Sequence, residues 1–297
     1  MKIGIMGWDH EEYESKQLDE IAKELGYDSL LFSLQDVKMT VINNDFKLTV
    51  FNVDLKEFDT IISRAQIRPE YYQQDLELLK SIQEYTDCIN ENFDNYYMSE
   101  SKMITQKLLT KCGVNVPDTF LVHSVEEIKN LWLTYKNIVI KPSFGYGGTD
   151  VERINEDFES YLPIVENLLS KYKNLLVQQY IPHPDGDIRV TTMGNEVFYA
   201  FRRIPNEKTW KANVAMGANI EVVKDYTLLK EIALKASNAI GLSLSGVDII
   251  EYNNQFYVFE VNNCPGWYPL SVEEGREICK EIIEYSINLA KGRLVLK

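Results

Sequence analysis

The sequence predicts a chain of mixed α/β and α+β class, organised in two or three lobes. Three observations carry that reading. In the first third, short apolar strands alternate with amphipathic helices, the pattern of a parallel, Rossmann-like sheet. Further on, Gly194-Asn195 and Asn253-Asn254 each separate two β-rich runs, as antiparallel hairpins do. At 297 residues the chain is long for a single hydrophobic core. We divide it into a Rossmann-like lobe (1–92), a central segment (93–177) and a C-terminal segment (178–297).

Composition narrows the function classes. A net charge of −14 argues against nucleic acid or an anionic membrane as partner. No apolar run approaches membrane-spanning length, and Met1-Lys-Ile-Gly-Ile reads directly into a strand, so no signal peptide is expected. Cys88, Cys112, Cys264 and Cys279 show no CxxC spacing, which fits reduced thiols and a cytoplasmic location. His10, His123 and His183 are too dispersed for a zinc site.

In order, the first lobe reads as a strand at Lys2–Gly7, a helix near Lys16–Leu25 closed by Gly26, and a strand at Ser29–Leu34. A hairpin turning at Asn43-Asn44 follows, then a strand at Phe58–Ser63, a helix at Tyr71–Tyr85 and a short strand at Cys88–Asn90. Gly4 and Gly7 do not form GxGxxG, so no dinucleotide site is assigned. Arg64 and Arg68 follow a parallel strand, on the edge where open α/β sheets bind ligands, and are candidates to hold a substrate carboxylate.

In the middle, Ser99 is expected to cap a helix running to Cys112, which puts Lys102 in the first turn. A cation there opposes the helix dipole, which hints at another use for the charge. Ser124-Val-Glu-Glu127 fits a capping box. The buried strand Asn137–Pro142 ends in Lys141 and runs into Ser143-Phe-Gly-Tyr-Gly-Gly148. There Gly145, Gly147 and Gly148 let backbone N–H groups approach phosphate, with Lys141 at the base of the loop. No GK[ST] follows, so this is not a Walker loop. The strand Leu175–Ile181 offers backbone groups to a base such as adenine. Asp187 and Arg189 share a strand face. Arg202 and Arg203 point to opposite faces, so at most one of them meets a site; Arg202 is taken as a candidate substrate contact.

The stretch from Ser245 to Gly266 carries the most specific pattern. Glu260 and Asn262 lie two apart on one strand, and Asp248 lies on the facing run. Two carboxylates and an amide oxygen are the donors that hard Mg²⁺ prefers. A plain two-residue turn at Asn253-Asn254 would pair Val247 with Glu260 and turn Asp248 away. A metal site therefore requires a longer loop, Asn253 to Gln255, or a bulge.

Taken together, Lys102, Lys141 with its glycine loop, Gln178-Gln179-Tyr180-Ile181, Asp187-Ile-Arg189, Asn213, Asp248 and Glu260-Val-Asn262 resemble the ATP-grasp superfamily. Within it the chain looks most like the RimK-like group of amino-acid (glutamate) ligases. The resemblance covers essentially the whole chain and implies an ATP-grasp fold with a Rossmann-like N-terminal lobe. It also implies an ATP-dependent carboxylate–amine ligase acting through an acyl phosphate, with an amino acid and a peptide, protein or small-molecule carboxylate as partners. ATP and two Mg²⁺ (or Mn²⁺) ions are the implied cofactors, and relatives suggest a homo-oligomer. Lys102, Lys141, Ser143 and the loop glycines would hold phosphates, Gln178 to Ile181 would form the adenine hinge, and Asp187 would sit beside the nucleotide. Arg189, Lys211 and Asn213 would approach the γ-phosphate and acyl phosphate; Asp248, Glu260 and Asn262 would hold the metal. Two positions depart from the family pattern: Gln179 replaces an acidic ribose ligand, and Met216-Gly217-Ala218 replaces Arg-Gly-Gly. Cys264 is read as packing. A non-peptide coenzyme or natural-product amide is the alternative product, and a non-catalytic nucleotide-binding regulator the alternative class.

Overall fold

A computed structural model describes residues 1–68, 71–89, 93–145, 147–206, 210–212, 217–268 and 270–292. The expected site residue Asn213 and the departure at Met216 lie outside the described residues.

The N-terminal lobe is built from β1 (Lys2–Gly7), α1 (Tyr13–Glu24), β2 (Asp28–Ser33), β3 (Val37–Ile42), β4 (Asp45–Val50), β5 (Val53–Asp54), β6 (Thr60–Ser63), α2 (Tyr72–Tyr85) and β7 (Cys88–Ile89). β2, β1, β6 and β7 form the parallel sheet that the strand–helix alternation predicts. The two central strands, β1 and β6, are buried almost throughout, as strands covered on both faces are. The β3–β4 hairpin turns at Asn43 and Asn44 with φ of 53° and 62°, the left-handed pair that two-residue hairpins need.

Next come α3 (Phe93–Glu100), α4 (Lys102–Lys111), β8 (Thr119–Val122), α5 (Val125–Tyr135), β9 (Ile138–Lys141), β10 (Glu152–Ile154), α6 (Phe158–Tyr172) and β11 (Leu175–Gln179). These strands make a sheet in the order β10-β9-β11-β8, with α5 and α6 covering one face. The helix cap differs from expectation. Ser101, not Ser99, caps α4 by accepting from the Ile104 N–H at 3.4 Å. Ser99 lies inside α3, where its hydroxyl donates to the Tyr96 carbonyl, because α3 runs on to Glu100 before the chain breaks direction.

The last segment holds β12 (Asp187–Met193), β13 (Glu196–Ile204), β14 (Asn219–Val222), α7 (Thr227–Ile240), β15 (Leu244–Tyr252), β16 (Gln255–Asn262) and α8 (Val272–Ala290). Its antiparallel sheet runs β14-β13-β12-β15-β16. The cores do not follow chain order. Leu109 and Val114, beside α4, pack with α7 and this sheet. Ile278, Ile282 and Ile283 of α8 pack with Ile3, Ile5 and Leu18 of the first lobe. No described helix is long and apolar enough to cross a membrane.

Candidate active site

A cleft separates the central sheet from the C-terminal sheet, and most of the expected site residues line it. A second cavity, between β13, β14 and α8, holds none of them.

The β15–β16 hairpin settles how the metal residues meet. Its turn is the tight two-residue form: Tyr252 pairs with Gln255, and Asn253 and Asn254 have φ of 51° and 60°. An unbroken ladder from that turn would set Asp248 against Phe259. Instead the register slips between Asp248 and Ile249, so Asp248 faces Glu260 and Gly246 faces Asn262. The longer loop is absent and the bulge is present, with Phe259 as the extra residue. Asp248, Glu260 and Asn262 therefore share one sheet face.

Positive side chains already neutralise these carboxylates. Lys102 sits 2.8 Å from Glu260 and also donates to the Gly145 carbonyl at 2.7 Å. Arg189 grips Asp248 through Nε and Nη2. Arg203 bonds both oxygens of Asp187, at 2.7 and 2.6 Å, and reaches Asp248 at 2.9 Å. Burial works against the charge on Asp248 and on Glu260; Arg189 and Arg203 outweigh it at the first and Lys102 at the second, so both stay below the usual carboxylate range. Burial pushes Asp187 up. The donor set fits a hard divalent ion, which would compete with Lys102 for Glu260. Among the described residues no cluster of three His, Cys, Asp or Glu occurs, so an ion held by Asp248 and Glu260 would have to take a third side-chain donor of another type, for which the Asn262 amide is on the same sheet face.

Gly246 has to be glycine here. A Cβ would lie 2.8 Å from Cδ of Arg189, which crosses the strand to reach Asp248.

On the opposite wall Lys141 is buried at the end of β9. Burial, aided by the nearby Lys102, lowers its pKa to about 8. Its ammonium donates to Gln178 Oε1 at 2.8 Å, and Gln178 donates in turn to Thr119 Oγ1 at 2.9 Å. The Gln178 side chain is thus spent on orienting Lys141, while the residue lines the cleft with Gln179, Tyr180 and Ile181. Farther along, the N–H groups of Gln179 and Tyr180 are taken by the carbonyls of Asp118 and Asn137. Tyr180 forms an aromatic wall, with Arg153 stacked 3.7 Å from its ring and Trp210 set edge-on.

The glycine loop is tied to the same centre. The Lys102 N–H donates to the Ser143 carbonyl at 3.0 Å, and Lys211 donates to the Gly148 carbonyl at 3.2 Å. Gly145, Gly147 and Gly148 all have positive φ (125°, 68° and 74°), so the loop's shape requires glycine at each.

Three expectations are corrected. Arg64 is 3% exposed and its guanidinium is committed within the protein: Nε and Nη2 to Glu12, Nη1 to the Pro265 carbonyl at 2.8 Å, with its face over Trp267. It straps the loop after β16 to the first lobe instead of waiting for a carboxylate. Arg68 forms a two-pronged bond with buried Asp75, at 2.9 and 2.6 Å. Arg202 points away from the cleft and donates to the Asp185 carbonyl; Arg203, on the next position, faces in. Arg203 was recoverable from the strand parity once Asp187 was known to pair with it. Cys264 is half-buried, its thiol pushed up to about 12 by burial and donating to the Arg64 carbonyl, as a packing residue would be.

The family model described as the RimK-like ATP-grasp domain matches residues 99–286. The tetrahydromethanopterin:alpha-L-glutamate ligase of Methanocaldococcus jannaschii is 31% identical over 256 residues, covering 84% of this chain and 86% of the relative. The alpha-aminoadipate–LysW ligase LysX of Sulfurisphaera tokodaii is 31% identical over 272 residues, covering 89% and 90%. The ATP-grasp ligase PsnB, solved with a precursor variant, Mg and ADP, superposes with a TM-score of 0.72 at 14% identity over 96% of this chain and 98% of its own. The chain belongs to the RimK-like ATP-grasp family and is an ATP-dependent carboxylate–amine ligase.

Proposed function

We propose that the enzyme joins an amino acid, glutamate or a close analogue, to the carboxylate of a peptide, carrier protein or coenzyme. The names of the two relatives support that substrate class: one is a glutamate ligase acting with a pterin coenzyme, the other an aminoadipate ligase acting with LysW. The observation that carries the reading is convergence. Asp248 and Glu260 line the same cleft as Lys102 and Lys141, and Arg189 and Asn262 contact Asp248 from the same sheet face.

A carboxylate oxygen is a poor leaving group, so the amide needs an activated acyl donor. In the proposed first step the acceptor carboxylate forms a bond to the γ-phosphorus of ATP as the bond to the β-phosphate oxygen breaks, giving an acyl phosphate and ADP. The amine then adds to the carbonyl and loses a proton, and the carbon–oxygen bond to phosphate breaks to leave the amide. Two divalent ions held by Asp248, Glu260 and Asn262 would supply charge neutralisation at the phosphates. Lys102 and Lys141 bind the α- and β-phosphates, with Lys141 aimed by Gln178. The glycine loop closes over the triphosphate and excludes water from the acyl phosphate. Arg189 meets the acyl phosphate and the tetrahedral oxyanion, while Lys211 approaches the γ-phosphate.

The test uses an acceptor labelled with ¹⁸O in its carboxylate. The mechanism delivers one labelled oxygen to each phosphate released. Unlabelled phosphate, with amide still formed, would overturn the acyl-phosphate route.

A further inference from the structure

We propose that Gln106 is a positioning residue for the metal centre, acting by pinning the Phe259 bulge. This rests on reading Asp248, Glu260 and Asn262 as metal ligands. Gln106 lies one turn after Lys102 on α4, so the two side chains share a helix face. They grip neighbouring residues of β16. Lys102 holds the Glu260 carboxylate, and Gln106 Nε2 donates to the Phe259 carbonyl at 2.9 Å.

Phe259 is the residue that the register slip leaves without a partner on β15. On the other side no strand follows, because β16 is the edge of the sheet. The outer edge is clamped by the helix and the segment after it: the Val258 N–H donates to the Asn115 carbonyl at 2.9 Å, and the Phe259 carbonyl accepts from Gln106. A bulge lets two consecutive side chains meet one face, and Phe259 and Glu260 both line the cleft. Losing the slip would turn one of them away.

Gln106 also carries a cost that its bond to Phe259 explains. It is 4% exposed, and its Oε1 is buried with no hydrogen-bond partner. An apolar side chain of the same size would fill the space without an unmet acceptor. The amide's remaining use is its donation to the bulge.

The experiment uses the full chain with ADP and Mn²⁺, reading free Mn²⁺ by electron paramagnetic resonance and amide exchange by mass spectrometry. Gln106→Met removes the donor at similar size, and Glu260→Gln is the benchmark. We expect Gln106→Met to keep a wild-type-like melting profile, to bind Mn²⁺ about 10-fold more weakly, and to exchange faster over residues 256–263 but not over β12. Gln106→Leu, which also lacks the donor, covers a misfolded Met variant, and the same weaker Mn²⁺ binding and faster exchange are expected there. Wild-type Mn²⁺ affinity and exchange in the Gln106 variants, with Mn²⁺ lost in Glu260→Gln, would overturn the positioning role alone. Wild-type affinity in Glu260→Gln would overturn the metal reading, and the inference with it.

Discussion

Arg64 and Arg203 are both buried guanidiniums paired with carboxylates, at 3% and 6% exposure, yet they do different work. Arg64 is enclosed by a carboxylate, a backbone carbonyl and an aromatic ring, all from the protein itself. Around it Glu14 accepts from the N–H groups of Trp267 and Tyr268, and Gln17 accepts from the Trp267 indole. None of that set lines the cleft. Arg203 shares its charge between Asp187 and Asp248, and Asp248 also holds Arg189. Three of those four groups line the cleft, so on the proposed function their pairing is open to rearrangement by phosphate and metal. Burial and a salt bridge alone do not mark a functional arginine; a partner that itself faces the ligand does.

Single substitutions separate the two. Arg64→Met leaves Glu12 Oε1 and the Pro265 carbonyl without the guanidinium and is expected to lower stability by about 3 kcal/mol or more, with or without ligand. Arg203→Met is expected to lose most of the melting-temperature rise that Mg-ADP gives the wild type. Thermal melts of both variants with and without Mg-ADP read the difference. If Arg64→Met lost the ligand-induced rise and Arg203→Met kept it, the assignments would be reversed.

A pH-dependent effect concerns Lys141. Its folded pKa of about 8 lies below the ordinary 10.5 because burial disfavours the charge. Between those values the unfolded chain holds a proton that the folded chain has released, so stability rises with pH across the window, by on the order of 3 kcal/mol. Below pH 8 the cost of the buried charge is present in full. Denaturant melts from pH 7 to 10 should show the rise in wild type and not in Lys141→Met. Nucleotide phosphates favour the charged form, so ADP binding at pH 8 should take up about half a proton at this residue. Calorimetry in buffers of different ionisation enthalpy measures that uptake.

Local pattern made some of this legible in the sequence, and distant partners hid the rest. The Asn253-Asn254 turn and the parity of Asp248, Glu260 and Asn262 were enough to require either a longer loop or a bulge. Which one occurs depends on α4, whose Gln106 meets Phe259 across 153 residues of chain. The placement of Arg64 at the sheet edge was readable, but its partners lie 52 and 201 residues away, so its commitment to Glu12 and Pro265 was not. Alternation separated Arg202 from Arg203, but choosing between them needed the pairing of Arg203 with Asp187. Lys102 could be read locally, because a lysine that opposes its own helix dipole asks for a partner. Glu260 and the Gly145 carbonyl are that partner.

The most direct test of the account is phosphate release from Mg-ATP, screened over amino acids paired with carboxylate acceptors. Product mass would be read in wild type and in folded Glu260→Gln. We expect release that requires both partners, a mass gain of one amino acid less water, and loss of both in Glu260→Gln. Wild-type ligation by Glu260→Gln would contradict the site, and phosphate release that needs no amine would contradict the ligase.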